Sequence, residues 1–228
     1  MTGESALPTP LQPGGRAPAP GELAVVQAFV NTHYDLEIEH GAELLGSPSA
    51  LAAWLRRYGL LVDDVELGAA ELSRVLALRE GLRALARANA SAGDGRPLPV
   101  PGSPADASAI EAINAAVEGA FVEIRFGVDQ PRADRAWCSR ARLQPAAAGV
   151  DHAVAAIASI TAGAIFDRSW ARLKVCAGEH CGWAFYDHSR NLTGKWCSML
   201  VCGGRAKARA QYYRRRPPAD DGGANGEG

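Results

Sequence analysis

Cys176-Ala-Gly-Glu-His-Cys181, then fifteen residues, then Cys197-Ser-Met-Leu-Val-Cys202 is the stretch on which the reading of this chain turns. It holds two Cys-x4-Cys pairs. Structural zinc takes four thiolate or imidazole ligands in a tetrahedron, and they usually arrive as two close pairs on tight turns. Gly178 is expected to give the first turn a positive φ. The second pair encloses Met199, Leu200 and Val201, which suit a helical turn or a looser knuckle. Four thiolates also suit an iron–sulfur cluster, a disulfide framework or a set of plain buried thiols. The matched pairs and the neighbouring Arg and Lys favour zinc over iron, and a reducing compartment disfavours disulfides. The expectation is one structural Zn2+ held by Cys176, Cys181, Cys197 and Cys202. Those four fill the shell, which places His180 and His188 outside it. Cys138 lies far off and reads as an ordinary half-buried residue.

A module of about 45 residues buries too little apolar surface to fold alone. Metal binding at structural zinc sites supplies about 10–16 kcal/mol. Trp183, Phe185 and Trp196 are the expected miniature core around the ion.

Directly after Cys202 comes Gly-Gly-Arg-Ala-Lys-Ala-Arg-Ala-Gln-Tyr-Tyr-Arg-Arg-Arg, stopped by Pro217-Pro218. The alanines favour a helix and the prolines end it. Arginines on one helix can follow phosphate oxygens, and in the major groove they can read guanine. The candidate nucleic-acid contacts are Arg190, Lys195, Arg205, Lys207, Arg209, Arg214, Arg215 and Arg216. Charge is split to match. Residues 1–169 carry a net of -6, residues 170–216 a net of +8 and residues 217–228 a net of -3, so the total of -1 hides a basic end.

Upstream, the pattern is helical. Leu23, Val26 and Val30 line one side of a helix starting near Gly21, with Val25 and Phe29 widening the stripe. Ser47-Pro48 is an N-cap followed by Pro at the first helical position, opening a short helix that ends near Gly59. A longer helix over about 69–90 carries an apolar face and an arginine face with Arg79 and Arg83, and another spans about 105–119. Phe121 to Phe126 alternates like a half-buried strand, with 136–143 returning as a hairpin partner. Asp151 is expected to cap a helix over about 152–168. The fold class is therefore mainly α with a small β-hairpin (α+β). A helical domain at 21–169 precedes a treble-clef-like or knuckle zinc module at 170–216. Residues 1–20 and the acidic stretch 217–228 read as disordered.

The start of the chain lacks the basic and apolar regions of an export signal, and the apolar run Ala153–Phe166 is too short to span a bilayer. No membrane association and a cytoplasmic location are expected. Enzymatic activity is not. Asp187-His188-Ser189 are consecutive and point apart, and four thiolates leave zinc no open position for catalysis. Asn31, Thr32 and Asp35 could line a polar ligand pocket, although helix capping accounts for the same residues.

Cys176-x4-Cys-Gly-Trp-x-Phe-Tyr-Asp-x-Ser-Arg190, Trp196-Cys-Ser-Met199 and Cys202-Gly-Gly-Arg-Ala-Lys207 resemble the CGNR zinc-finger family. Phe29-Val-Asn-Thr32, Glu43-Leu-Leu45 and Leu51-x-x-Trp-Leu55 resemble the ABATE domain that accompanies it. The resemblance covers about residues 22–213. It implies a bacterial stress-induced transcription regulator that binds DNA through its zinc end. The helical domain would then sense an unknown small-molecule effector or form a homodimer. The family's Cys-Gly-Asn-Arg reads Cys202-Gly203-Gly204-Arg205 here, so any hydrogen bond of that amide is missing. The alternative function is a zinc-stapled protein-interaction or small-ligand-binding protein without direct DNA binding.

Overall fold

The computed structural model describes residues 12–34, 43–91, 104–129 and 138–215. Asp35, Arg216, the loop expected near 91–104 and the acidic stretch 217–228 lie wholly or largely outside these. In chain order the elements are α1 (Leu23–Val30), α2 (Pro48–Arg57), α3 (Ala69–Ser91) and α4 (Pro104–Val117), then β1 (Val122–Asp129), β2 (Cys138–Pro145) and α5 (Gly149–Phe166). The metal end adds β3 (Leu173–Val175), β4 (Ala184–Tyr186) and α6 (Gly204–Arg215). Two antiparallel two-stranded sheets, β1–β2 and β3–β4, sit among the helices. This is the mainly helical α+β class that the periodicities predict.

The local signals act as expected at α2. Ser47 Oγ accepts the Ala50 N–H at 3.1 Å, and Pro48 takes the first turn, where its missing N–H costs nothing. Asp151 behaves differently. The helix opens earlier, at Gly149, with no side-chain cap, and Asp151 instead pairs with Arg74 at 2.5 Å. Arg74 also donates to Ala116 O and Glu118 O, so one guanidinium ties α3 to the end of α4 and the start of α5.

α1 is buried on nearly every side: Leu23, Val25, Val26, Gln27, Ala28, Phe29 and Val30 are all inside. A helix apolar all round belongs at a centre, and the rest of the core assembles about it. That core takes Leu51 and Leu55 from α2, Val75, Leu78 and Leu82 from α3, and Ala153, Val154 and Ile157 from α5. α5 is long and apolar enough to cross a membrane by length and composition, yet this face of it is packed in the core. Trp170, Leu173, Val175, Ala184 and Tyr186 belong to the same core. The boundary expected near residue 170 thus runs through continuous packing, with β3 against α3 and β4 against α1.

The β1–β2 hairpin departs from expectation. Val122, Ile124 and Phe126 face one way opposite Pro145, Leu143 and Ala141, as alternation requires. That face is not half-buried: Ile124 is 62% and Phe126 83% exposed. Period two sets which side a residue points to, and only neighbouring elements decide whether that side is covered.

Asn31 and Thr32, which could line a pocket, make hydrogen bonds within the fold. Asn31 Nδ2 donates to Ala184 O at 2.8 Å, and Ala184 N donates to Asn31 Oδ1 at 2.7 Å, so the amide pairs with β4 as a neighbouring strand would. Gln27 Nε2 also donates to Ala184 O. Thr32 Oγ1 donates to Phe29 O and accepts from Arg79. Replacing Asn31 by Ala leaves the buried Ala184 N–H without its acceptor, and about 1–3 kcal/mol of stability should be lost. Denaturant titration checks this, and an unchanged midpoint contradicts it.

Candidate metal centre and basic helix

The β3–β4 connection carries Cys176 and Cys181, and a π-helical turn over Met199–Gly203 carries Cys202 just after Cys197. All four thiols are buried, and their sulfurs lie within 4.8 Å of one another. Cys181–Cys197 and Cys197–Cys202 are each 3.7 Å apart, Sγ to Sγ. Zn–S bonds of about 2.3 Å in a tetrahedron place sulfurs about 3.8 Å apart, so these spacings fit zinc. Gly178 N and Cys197 N both donate to Cys176 Sγ at 3.3 Å, as backbone amides do for a thiolate ligand. Hydrogen bonds from Cys181 and Cys197 draw Cys176 down to about 2, while the same sharing pushes Cys181 up to about 12 and Cys197 well up. Four thiolates this close repel one another, and a divalent cation removes the conflict.

The glycines act differently from expectation. The left-handed residues of the first knuckle are His180, with φ 68°, and Gly182, with φ 59°; Gly178 is not among them. Gly178 instead leaves room: a Cβ there would crowd the cysteines, lying 3.1 Å from Cys202 Sγ and 3.2 Å from Cys181 Cβ. The second pair does sit on a helical turn. Ser198 Oγ accepts the Val201 N–H, and Gly203 N donates to Ser198 O. Phe185 is fully buried against the cysteines with Trp183 and Trp196 beside it, the miniature core that the aromatic spacing predicts.

A buried ion pair shapes the long loop between β4 and Cys197. Lys174 Nζ donates to Asp187 Oδ2 at 2.9 Å, and both side chains are 2% exposed or less. Asp187 also accepts from Ser189 N at 3.0 Å and Gly194 N at 2.7 Å, and the ammonium further donates to Leu192 O. Burial works to raise the Asp187 carboxyl, but hydrogen bonds from Ser189, Lys174 and Gly194 outweigh it and hold the group at about 2. Asp187, His188 and Ser189 diverge as expected for consecutive residues: His188 reaches the carbonyls of Ala17 and Pro18 while Asp187 turns inward.

Three features of the site carried no readable sequence signal. Residues 12–20, expected as part of a disordered start, lie along the metal end. Arg16 donates to Cys197 O, Tyr186 O and Trp196 O, with its guanidinium 4.8 Å from the Phe185 ring centroid. Arg83 is buried and donates to Gly182 O, Val30 O and His33 O, tying the first knuckle to α1 and α3. Arg79, one helical turn away, is held by Glu43 and Glu80. The third is Lys174, whose burial in a three-residue strand no spacing announces.

Among the candidate nucleic-acid contacts, Arg190 and Lys195 are exposed on the loop before Cys197, and Arg205, Lys207, Arg209, Arg214 and Arg215 are exposed on α6. Arg209 pairs with Glu179 of the first knuckle. α6 runs for 12 residues without one buried side chain. A groove of about 490 Å³ opens between the Arg16 segment and the loop before Cys197, lined by His188, Ser189, Thr193, Lys195, Trp196 and Met199 among others.

No curated protein matches the chain. Residues 172–216 match the CGNR zinc finger, so the cysteine cluster is a metal site of that type. Residues 23–164, more than half of the chain, match the ABATE family, described as "Putative stress-induced transcription regulator". With the helical domain first and the four-cysteine module second, as the resemblance implies, this chain belongs to the ABATE family and ends in a CGNR zinc finger.

Proposed function

We propose that the protein is a cytoplasmic, non-enzymatic transcription regulator that binds duplex DNA through α6. One structural zinc would hold the helix at a set angle. The observation that carries this reading is α6 itself. A helix of 12 residues is marginal in water unless a partner takes one of its faces. α6 offers no face to the core and presents cations all round. Lys207 and Arg214 lie about 20° apart around the helix, and Arg205 and Arg209 about 40° apart. Such a surface matches phosphate oxygens on both walls of a major groove.

Zinc serves as a staple in this mechanism. Cys176 and Cys181 anchor the β3–β4 tip, and Cys197 and Cys202 anchor the turn that launches α6. Four filled positions leave the ion no vacant site for a substrate. Glu179 occupies Arg209 until a phosphate replaces it. Homodimerisation through the helical domain would present two such helices to paired half-sites.

Fluorescence anisotropy of the zinc-loaded protein with duplex DNA between 50 and 200 mM salt tests the reading. Affinity should fall steeply with salt, and Lys207→Ala and Arg214→Ala should each lower the slope by about one. Binding that is absent at 50 mM salt, or a slope indifferent to both variants, rejects it. The groove between the Arg16 segment and the loop before Cys197 favours a second reading, a small-ligand-binding protein in which zinc only closes the fold. A small molecule that co-purifies with the protein and protects Lys195 from amine modification would support that alternative.

A further inference from the structure

Leu200 is 88% exposed, the most exposed of the large apolar side chains among the described residues, and Met199 and Val201 on either side are 66% and 42% exposed. An apolar tip of this kind is normally tolerated on a loose loop, but this one is held rigidly. Cys197 and Cys202 bracket it and converge on one metal site. Ser198 closes the turn beneath it through Val201 N and Gly203 N. Arg16 grips Cys197 O and Trp196 O, and Gly14 packs so closely on Ser198 that a Cβ there would lie 2.7 Å from its Oγ. The tip also stands at the head of α6, with Lys195 before it and Arg205 and Lys207 after it. Its surroundings are therefore cationic and already suited to a polyanion.

Duplex DNA offers few apolar groups to such a tip. In the major groove the base edges present hydrogen-bond donors and acceptors and one apolar group, the C5-methyl of thymine. A recognition helix entering that groove meets the base edges with its N-terminal residues, where this tip stands. We propose that Leu200 is a specificity-determining residue that packs on a thymine methyl group, and that the metal-clamped turn exists to hold it there. This inference rests on the DNA-binding reading and names what the tip would recognise. The cations supply affinity without regard to sequence, and Leu200 supplies a preference for thymine at one or two positions.

The test begins with a duplex selected by the full-length, zinc-loaded protein from a random pool. Its affinity is then compared with that of the same duplex carrying deoxyuridine for thymidine, which removes only the methyl groups. Burying one methyl is worth about 0.8 kcal/mol, so wild type should bind the uracil duplex about fourfold more weakly per methyl read. Leu200→Ser should bind both duplexes alike, near the wild-type level on uracil, with Leu200→Ala in between. Zinc content and circular dichroism show whether each variant is folded. Firm wild-type binding with no difference between thymine and uracil overturns the inference and leaves the DNA-binding reading standing. So does a Leu200→Ser protein that keeps the full difference, which would mark the tip as a surface for a protein partner. Failure to bind any duplex removes both.

Discussion

Stripping the metal, or replacing Cys197 by Ser, is expected to dismantle the end of the chain from about Cys176 onward. The four thiols are brought together by two turns that share little packing beyond Phe185, Trp183 and Trp196. Metal binding at such sites is worth about 10–16 kcal/mol, comparable to the whole stability of an ordinary domain. Without the ion, the thiols relieve their crowding by separating. The π-turn then has no anchor, and α6, with no buried residue, loses its launching point. Tryptophan emission should shift to the red as Trp183 and Trp196 gain water, and amide exchange in 197–215 should accelerate. The helical domain should survive in weakened form. β3, β4 and Trp170 belong to its core, and Arg83, whose charge is paired with Glu80, would lose the ordered Gly182 carbonyl that accepts one of its buried hydrogen bonds. Unchanged emission and exchange after stoichiometric metal loss would show that the thiols are structural without an ion.

Asp187→Ala is the second large effect. It leaves the Lys174 ammonium buried with only carbonyl partners, and removing one member of a buried pair costs about 3–5 kcal/mol. For a chain of this size that corresponds to a fall in Tm of roughly 6–20 °C. The loop over 188–196 should loosen as well, because Ser189 N and Gly194 N lose their acceptor. Adding Lys174→Met should recover much of the loss, since an apolar pair of similar volume carries no uncompensated charge. A double variant no more stable than Asp187→Ala would mean that the carboxylate matters through the loop alone. The pH dependence has a defined sign. Asp187 sits at about 2 when folded against an ordinary value of 3.8, so its contribution is complete only above about pH 5 and is lost as pH falls through 2. Wild type and Asp187→Asn should therefore converge in stability over that window.

The features legible in advance share a physical character: each is satisfied within a few residues of itself. The 3.6-residue stripe of Leu23, Val26 and Val30, the Ser47-Pro48 cap, and two cysteine pairs whose loops must be short for one ion to be reached from both are all of this kind. Where a local rule was followed without its context, it misplaced the detail. Gly178 sits where a side chain would crowd Cys202, and its own φ is not left-handed. Asp151 has the right type for a cap, yet the helix opens two residues before it and Arg74, from a helix far away in the chain, claims its carboxylate. The β1–β2 strands pair as alternation dictates, while the burial of their apolar face depends on elements that do not reach it.

Composition and spacing were enough to establish a helical domain, a four-thiolate centre and a cationic helix after it, because backbone geometry and coordination chemistry act over short separations. That the domain and the centre form one body came only from folding. Asn31 pairs with Ala184 across 153 residues and Arg16 with Cys197 across 181. Buried carbonyls and amides must find partners wherever the packed chain provides them. Those partners are chosen by proximity in space, which no reading along the chain contains.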